Sequence, residues 1–335
     1  MREPRRILVV RLSALGDVLL ATPAVRALKK RFPNAEIDWL VESGYLPLLE
    51  ENPHARPVPY DKGGRHRRLA GLLTLREELE RGGYDLVIDL QNKAKTWLLR
   101  GVADHAVSLK KRAPGEALQA LFGKDAILTR AHAVDLFLEA LQPLGVTADG
   151  STLDLVLSQR SRDQAEALGL PANAVGLAPG ARWETKRWPA ERFAALATSF
   201  AAQGLQLVLI GGPGDREALA AVRAALPSTL QPKDTSTLGV GGLAAAIAGL
   251  KLLVAGDSGP VHIASAVGTP VLAIFGPTSP LRWRPLGANS AVVKLELPCS
   301  PCSNHGTVQC PLGHHQCMKE LGVAQVLEAA QKLVG

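Results

Sequence analysis

The chain has 335 residues, about twice the length of a typical domain, and 47% of them are hydrophobic, which is enough for two buried cores. Its net charge of +7 indicates an acidic partner but is modest for a nucleic-acid-binding protein, and an aromatic content of 4% leaves few rings on which bases could stack. No segment approaches the roughly 18 apolar residues of a membrane span, and Arg11 and Asp17 interrupt an N-terminal run that otherwise resembles a signal peptide. We therefore expect a soluble, cytoplasmic protein.

Short apolar runs alternate along the chain with stretches of helical periodicity. The runs predict strands at Ile7 to Val10, Glu36 to Val41, Leu86 to Leu90, Val175 to Ala178, Leu205 to Ile210, Leu252 to Ala255 and Val271 to Phe275. The periodic stretches predict helices at Thr22 to Phe32, Leu69 to Arg81, Ala133 to Leu144 and Ala190 to Gln203. This alternation is typical of α/β domains with parallel, doubly wound sheets.

A polar, turn-rich stretch at residues 145–161 suggests a boundary between two domains, which we place at residues 1–155 and 156–335. The last amphipathic stretch, Val323 to Leu333, could pack on either domain, including back on the N-terminal one.

Asp17 follows the first predicted strand at a strand-to-helix junction with a single glycine, Gly16. A carboxylate there lies at the carboxyl edge of a parallel sheet, where open α/β folds bind their ligands, and is a candidate general base. The alternative is that Asp17 caps a helix starting at Val18. A dinucleotide site is not indicated, because the turn lacks the glycine pattern G-x-G-x-x-G.

In the second half, the strand Leu252 to Ala255 leads into Asp257, and a helix is predicted from about Ser258, with Pro260 in its first turn. Free amides and the positive end of the helix dipole make such a turn suited to a diphosphate. An ordinary capped helix is the alternative.

Two further loops follow strands in this half. One carries Gly180, which would let the backbone approach a ligand, and Lys186, which could neutralise a departing phosphate or be an ordinary surface lysine. The other carries Asp215, with Glu217 beyond it, either of which could accept hydrogen bonds from a ribose.

All four cysteines lie together near the C-terminus, as C-x2-C-x7-C-x6-C: Cys299, Cys302, Cys310 and Cys317. Four thiolates could hold a structural zinc ion, although the second spacing is not a standard one. Two disulfides or four reduced thiols are the alternatives, of which disulfides are disfavoured in a reducing cytoplasm.

Three segments, RLSALGDVLLATPAVRALKKRFP, PGARWETKRWP and GDSGPVHIASAVGTPVLAIFGPT, resemble in order and spacing the lipopolysaccharide heptosyltransferases of glycosyltransferase family 9. The resemblance covers essentially the whole chain. It implies a GT-B fold, in which two Rossmann-like doubly wound domains face each other across a cleft, with the acceptor bound by the N-terminal domain and the donor by the C-terminal one.

The resemblance also implies roles for individual residues. Asp17 becomes the base that deprotonates the acceptor hydroxyl, and Lys186 acts at the diphosphate. The donor-binding residues become Gly180, Ala181, Asp215, Glu217, Thr237, Leu238, Asp257, Ser258, Gly259 and His262. The acceptor, an anionic glycolipid, would contact Ser13, Arg65, Arg67, Arg68, Lys95, Arg112 and His132, although each basic residue could equally be a solvated surface charge. Some relatives carry a second hydroxyl residue after the serine, where this chain has Ala14.

The implied reaction is transfer of heptose, with inversion, from ADP-L-glycero-D-manno-heptose to the inner core of lipopolysaccharide, either Kdo-lipid A or heptosyl-Kdo-lipid A. No two aspartates are two positions apart, so we expect no catalytic metal. We expect a monomer, peripheral at the inner face of the cytoplasmic membrane, with no nucleic acid as partner. The alternatives are another donor or acceptor within the family, a non-catalytic nucleotide-binding module, and a zinc-dependent nucleic-acid-binding protein.

Overall fold

The structure is a computed structural model that describes residues 3–109 and 131–334. The described chain divides into two compact units. The first consists of residues 3–109 and Ala133–Val156, and the second of residues 131–132 and 157–334.

The first unit is built on a parallel sheet whose described strands number five. They are β1 Arg6–Val10, β2 Glu36–Glu42, β3 Arg56–Tyr60, β4 Leu86–Asp89 and β5 His105–Ser108. Their order in the sheet is β3-β2-β1-β4-β5. The α-helices described in this unit are Leu15–Leu20, Thr22–Arg31, Leu69–Glu80, Ala94–Trp97 and Ala133–Leu141.

The second unit contains a parallel sheet with six described strands. They are β6 Val175–Ala178, β7 Leu207–Leu209, β8 Lys233–Asp234, β9 Leu252–Gly256, β10 Val271–Ile274 and β11 Ser290–Val293, in the order β11-β10-β9-β6-β7-β8. The α-helices described in this unit are Gln159–Ala167, Ala190–Ala202, Arg216–Ala225, Val240–Ala248, Gly259–Val267, Pro280–Trp283, Gln316–Lys319 and Val323–Val334.

Both sheets follow the strand order of Rossmann domains, in which the first strand of the unit lies in the middle and the order reverses beside it. The reversal falls between β1 and β4 in the first unit and between β6 and β9 in the second. Open α/β sheets bind ligands at the carboxyl ends of these strands, because the connecting helices there leave on opposite faces and open a crevice. Each unit therefore has one such edge, at the carboxyl ends of its strands, which we call its ligand edge.

The central strands form the cores, and their apolar residues explain why they could be predicted. Ile7 to Val10 of β1 are fully buried, as are Leu252 to Ala255 of β9. Such runs are typical of parallel strands covered by helices on both faces. The last helix, Val323–Val334, inserts Val326 and Ala330 into the core of the second unit. The sequence left open on which domain this helix packs, and in the structure it packs on the second unit.

Within the described ranges, none of the helices combines the length and the apolar character that crossing a bilayer requires.

Candidate active site

Side chains tie the ends of β1 and β4 together at the edge of the first sheet. Nη1 of Arg11, just after β1, donates a hydrogen bond of 2.7 Å to the carbonyl oxygen of Leu90, just after β4. Oε1 of Gln91 accepts hydrogen bonds from the backbone nitrogens of Leu12 at 3.1 Å and Ser13 at 3.3 Å. The loop that leads to Asp17 is thereby fixed against the neighbouring strand.

Asp17 lies in the first turn of the helix Leu15–Leu20. Its Oδ2 is 2.6 Å from Nη2 of Arg11 and accepts a hydrogen bond of 3.3 Å from the backbone nitrogen of Ala14. No described residue donates a hydrogen bond to Oδ1, and the side chain remains 18% exposed. One oxygen is thus fixed, and the other can accept a proton from a bound hydroxyl group.

The predicted alternative, a helix that begins at Val18 with Asp17 as its cap, is wrong. The helix begins at Leu15 after Ala14, so that Asp17 is its third residue. A carboxylate in the first turn still interacts favourably with the helix dipole and with the backbone N–H group that precedes the helix.

Arg11, which holds Asp17, is a residue that the sequence alone does not single out. It is 7% exposed, and its guanidinium carbon lies 5.0 Å from the centre of the Phe137 ring. Its position in the sequence could have indicated this role, because a charged residue there directly follows a buried strand and precedes the candidate base by six residues. A buried arginine needs an anionic partner, because leaving its charge unpaired in the interior is costly.

The predicted acceptor arginines lie in an exposed basic loop, residues 61–68, between β3 and the helix Leu69–Glu80. Arg67 and Arg68 are exposed, and Arg65 forms an ion pair with Glu78. Asp61 orders the loop by accepting hydrogen bonds from the backbone nitrogens of Gly64 at 2.8 Å and Arg65 at 2.9 Å. These N–H groups, that of Arg65 first, lower the pKa of Asp61, so its carboxylate stays charged.

His66 anchors the same loop from the inside. Its ring is buried and stacks on Tyr60, with ring centres 5.4 Å apart. Its Nδ1 accepts a hydrogen bond of 3.0 Å from the backbone nitrogen of Asp61, so the neutral ring carries its hydrogen on Nε2. Burial, and after it the charge of Arg65, lowers the pKa of His66. The bond to Asp61 requires this neutral form.

The other predicted acceptor residues differ in their surroundings. Ser13 is half-buried and Lys95 is exposed, and both lie at the ligand edge of the first sheet, after β1 and β4 respectively. Arg112 lies outside the described residues. His132, predicted within the N-terminal, acceptor-binding domain, groups instead with the second unit, where it is buried and its Nε2 lies 3.1 Å from the carbonyl oxygen of Arg284.

A buried ion pair that the sequence does not indicate supports the loop after β4. Asp89 is fully buried and lies 2.8 Å from the guanidinium of Arg100. It also accepts hydrogen bonds from the hydroxyl of Thr96 at 3.0 Å and from the backbone nitrogens of Gln91 at 3.1 Å and Asn92 at 2.8 Å. This network holds in place the residue that fastens the Asp17 loop, Gln91.

In the second unit, the structure brings together two predicted site residues from different strands. Nζ of Lys186, in the loop after β6, lies 2.8 Å from Oδ2 of Asp257, directly after β9. The hydroxyl of Thr278 donates a hydrogen bond of 2.6 Å to the same oxygen. The side chains are 14% and 5% exposed. A carboxylate repels a diphosphate, so the geometry gives Asp257 the task of fixing the ammonium group.

The helix Gly259–Val267 begins beside this pair, with Ser258 preceding it and Pro260 in its first turn. The hydroxyl of Ser258 donates to the carbonyl oxygen of Gly256 at 3.0 Å and makes no capping hydrogen bond to the helix. The capped-helix alternative is therefore not what the structure has. The first turn keeps the electropositive character that suits an anion, and His262 is buried one turn further on.

The space beside Gly180 is filled by the protein itself. A Cβ atom on Gly180 would come within 2.2 Å of Oδ1 of Asp215, whose Oδ2 accepts a hydrogen bond of 2.9 Å from the backbone nitrogen of Gly212. Asp215, in the loop after β7, thus lies where a side chain at position 180 would be, and the approach of a ligand to the backbone of Gly180 stays a prediction. The adjacent Ala181 is buried.

The remaining predicted donor residues lie along the same edge. Leu238 is buried and Thr237 exposed, in the turn before the helix Val240–Ala248. Glu217 lines a cavity of about 560 Å³ together with Thr185, Trp188 and residues 308–310. Neither Lys186 nor Asp257 lines this cavity, so it adjoins the predicted diphosphate site without including it.

The four cysteines are free thiols in the structure, and Cys317 is buried. Burial raises the pKa of Cys317 to about 11 and also raises that of Cys302, with smaller contributions from the neighbouring thiols. The thiols are therefore within electrostatic range of one another. Across residues 3–109 and 131–334, however, no three Cys, His, Asp or Glu side chains are arranged to hold a metal ion. The zinc site stays a prediction.

Comparison with known proteins identifies the family to which this chain belongs. The family model for glycosyltransferase family 9 (heptosyltransferase) matches residues 72–312, well over half of the chain. The chain belongs to glycosyltransferase family 9. It is 30% identical over 291 residues to lipopolysaccharide heptosyltransferase 3 of Escherichia coli, covering 82% of this chain and 84% of that protein. It is also 30% identical over 321 residues to lipopolysaccharide heptosyltransferase 1 of Pseudomonas aeruginosa, covering 89% and 86%.

The fold agrees with a solved family 9 structure. The glycosyl transferase family 9 protein of Veillonella parvula superposes with a TM-score of 0.83 at 29% identity, covering 98% of this chain and 97% of that one. The predicted fold class, GT-B with two Rossmann-like domains, is confirmed, as is the resemblance to family 9. The two relatives are named heptosyltransferase 3 and heptosyltransferase 1, and both are 30% identical to this chain, so similarity to them does not determine which of the two this chain corresponds to.

Proposed function

We propose that this family 9 glycosyltransferase transfers heptose from ADP-L-glycero-D-manno-heptose to the inner core of lipopolysaccharide. The observation that carries the proposal is the environment of Asp17. Its carboxylate lies at the ligand edge of the first sheet, with Oδ2 fixed by Arg11 and Oδ1 free of donors from the described residues. This is the arrangement expected of a general base that awaits a hydroxyl group.

The proposed reaction is a single displacement. Asp17 takes the proton of the acceptor hydroxyl as its oxygen bonds to the anomeric carbon of the heptose. The bond from that carbon to the diphosphate oxygen breaks, and its electron pair leaves with ADP. Attack opposite the leaving group inverts the anomeric configuration. Lys186 and the first turn of the helix Gly259–Val267 stabilise the growing negative charge.

The same two groups support the proposal that catalysis needs no metal ion. In many sugar-nucleotide enzymes a divalent cation held by an Asp-x-Asp motif neutralises the diphosphate, and this motif is absent from the sequence. Lys186, already fixed by Asp257, and the helix dipole supply fixed positive charge at the corresponding place.

The basic loop supports an anionic glycolipid as acceptor. Arg65, Arg67 and Arg68 extend from an ordered loop at the ligand edge of the first unit, and arginine binds phosphate and carboxylate through two parallel hydrogen bonds. We propose that the enzyme acts as a monomer at the inner face of the cytoplasmic membrane, where such an acceptor would be presented.

The test is turnover with defined substrates. Purified protein is incubated with ADP-heptose and either Kdo-lipid A or heptosyl-Kdo-lipid A, and ADP release and the glycolipid product are measured. Parallel reactions contain ADP-glucose or UDP-N-acetylglucosamine. Transfer of heptose to one core acceptor supports the proposal, and efficient turnover of another donor favours a different family 9 activity. Binding of ADP-heptose without transfer to any acceptor would identify a nucleotide-binding module and refute the proposal.

A further inference from the structure

The proposed reaction gives no task to the cysteine-rich segment, residues 299–317, yet this segment is bonded to the loop that carries Lys186. Thr185 precedes Lys186 and is buried. Its backbone nitrogen and its hydroxyl both donate to the carbonyl oxygen of Thr307, at 3.2 and 2.8 Å. The backbone nitrogen of Thr307 in turn donates to the hydroxyl oxygen of Thr185 at 2.8 Å.

A second residue of the segment completes this arrangement. Nε2 of His315 lies 2.8 Å from the carbonyl oxygen of Thr185. A carbonyl oxygen only accepts, so Nε2 of His315 is the donor. The nitrogen, the carbonyl and the hydroxyl of Thr185 are therefore all bonded to the cysteine-rich segment. A residue held in this way leaves the next residue, Lys186, little freedom in its backbone.

The segment also lies against the side chain of Lys186. A Cβ atom on Gly306 would come within 2.8 Å of Cδ and 2.9 Å of Cγ of Lys186, and within 2.9 Å of Cβ of Trp183. A Cβ atom on Gly256 would likewise come within 2.8 Å of the carbonyl oxygen of Lys186. The lysine is thus packed against two glycines, and its ammonium group ends at Asp257.

We propose that the cysteine-rich segment is a positioning element for Lys186. It acts through Gly306, which lies against the lysine side chain, and through the hydrogen bonds of Thr307 to Thr185, so that Thr185, Gly306 and Thr307 are positioning residues. The inference rests on the proposed function, in which Lys186 stabilises the leaving diphosphate. A free lysine side chain samples many rotamers, so an ammonium group fixed before the donor binds needs no reorganisation as charge develops. The segment does not touch the reacting atoms in this scheme; it acts through Lys186.

Two glycine variants separate positioning from folding. Gly306 has φ +90° and Gly204, outside the segment, has φ +76°, so alanine is strained at both positions. A Cβ atom at Gly204 meets nothing within 4 Å, whereas one at Gly306 meets the lysine. We expect Gly306→Ala to lower kcat by about tenfold or more and Gly204→Ala to leave it within about twofold, while both variants lose Tm. Equal kcat in the two variants would overturn the inference.

A second pair of variants keeps the inference testable if Gly306→Ala does not fold. Thr185→Val keeps the shape of the side chain but loses the hydroxyl that bonds to Thr307, and Thr185→Ser restores it. We expect kcat to fall in the valine variant, with the acceptor KM unchanged, and to recover in the serine variant. Failure of serine to restore kcat, or a valine variant with normal kcat, contradicts the role assigned to the bonds between Thr185 and Thr307.

A double-mutant cycle then tests whether the effect passes through the lysine. If Gly306 acts through Lys186, adding Gly306→Ala to Lys186→Met should cause no further loss of kcat, whereas additive losses refute the positioning role. The proposed function fails separately: it is in doubt if Lys186→Met alone turns over donor normally. A Lys186→Met variant whose kcat is lowered but measurable, with fully additive losses in the double variant, refutes only the present inference.

Discussion

Arg11 and Asp17 form a short, partly buried ion pair, with 2.6 Å between Nη2 and Oδ2. The arginine is itself fixed by the carbonyl oxygen of Leu90 and by the ring of Phe137. Since the partners come from the end of β1, the loop after β4 and a helix, the carboxylate is oriented by the whole edge of the sheet. In its proposed role as general base, a carboxylate fixed in this way meets the substrate in one orientation. Such fixed orientation supplies a large part of the rate acceleration of enzymes.

Replacing Asp17 by asparagine should remove the base while preserving the shape of the side chain. We expect turnover to fall by roughly 10²- to 10⁴-fold, the range typical of general bases. The affinity for ADP-heptose should hardly change, because the predicted donor residues lie in the second unit. Steady-state kinetics and calorimetric donor binding would check this, with Asp17→Ala as a second variant. Normal turnover in both variants would eliminate Asp17 as the base.

Replacing Arg11 tests whether the ion pair orients the base. Arg11→Met should lower kcat more than it raises the acceptor KM, since Oδ2 of Asp17 loses its strongest donor. Arg11→Lys restores the charge but cannot bond to Leu90 and Asp17 through one planar group, so we expect a partial recovery of kcat. Thermal unfolding is measured alongside. A methionine variant that loses Tm but keeps kcat would show that Arg11 only stabilises the fold.

The central strands could be predicted because they are continuous apolar runs, and their bounds differ from the structure by at most two residues. The edge strands β3, β5, β8 and β11 could not. β3 contains Pro57 and Pro59, and β8 has only two residues. An edge strand is buried on fewer sides, so short length and proline are tolerated there and the apolar signal is weak.

The candidate site was predictable only in part. Asp17, Lys186 and Asp257 each follow a recognisable strand, so the sequence could place them at ligand edges. Their partners depend on strand order, which periodicity does not determine. Lys186 meets Asp257 because β6 lies next to β9, although the two residues are far apart in the sequence. The closeness of Asp215 to Gly180 could not be predicted for the same reason, since Asp215 lies in the loop after β7.

Asp257 offers a test that separates donor affinity from catalysis. Asp257→Asn removes a negative charge from the predicted diphosphate site but should loosen Lys186, which Asp257 contacts at 2.8 Å. We therefore expect ADP to bind at least as tightly as to the unmodified enzyme, while kcat falls by about tenfold or more. Glu328→Gln, which breaks an exposed helical ion pair with Lys332, is the control and should change neither quantity. Weaker ADP binding by the asparagine variant would contradict the role of Asp257 as an anchor of the lysine.

We expect acceptor binding to depend on pH through His66. Its pKa in the folded protein is lowered from 6.5, so the unfolded chain binds the proton more readily, and the neutral ring contributes fully to stability only above about pH 6.5. As the pH falls further, through the lowered pKa of His66 in the folded protein, protonation of Nδ1 removes the acceptor for the N–H group of Asp61. Asp61 and Glu78 face the ring as anions and Arg65 as a cation, and burial dominates them.

The expected result is a rise in the acceptor KM as the pH falls below about 6.5, by roughly fivefold, the change in KM that corresponds to the loss of one hydrogen bond. His66→Phe keeps the stacking on Tyr60 but has no Nδ1, so its KM should be higher at pH 7 and should change less with pH. The variant also corrects for titration of the acceptor's own phosphates. Parallel pH profiles of the two proteins would show that His66 does not control the loop.

The cysteines provide the last prediction, which joins the zinc hypothesis to the positioning of Lys186. Metal analysis of the purified protein should find about one zinc ion per chain if the four thiols form a closed structural site. Removing it should lower Tm and, because the segment holds Thr185 and lies against Lys186, should also lower kcat without changing the acceptor KM. Zinc, but not magnesium or manganese, should restore both Tm and kcat.

Restoration by magnesium would instead indicate a metal at the diphosphate and contradict metal-independent catalysis. Absence of zinc, with four titratable thiols in the denatured protein, would leave the segment held by its hydrogen bonds alone.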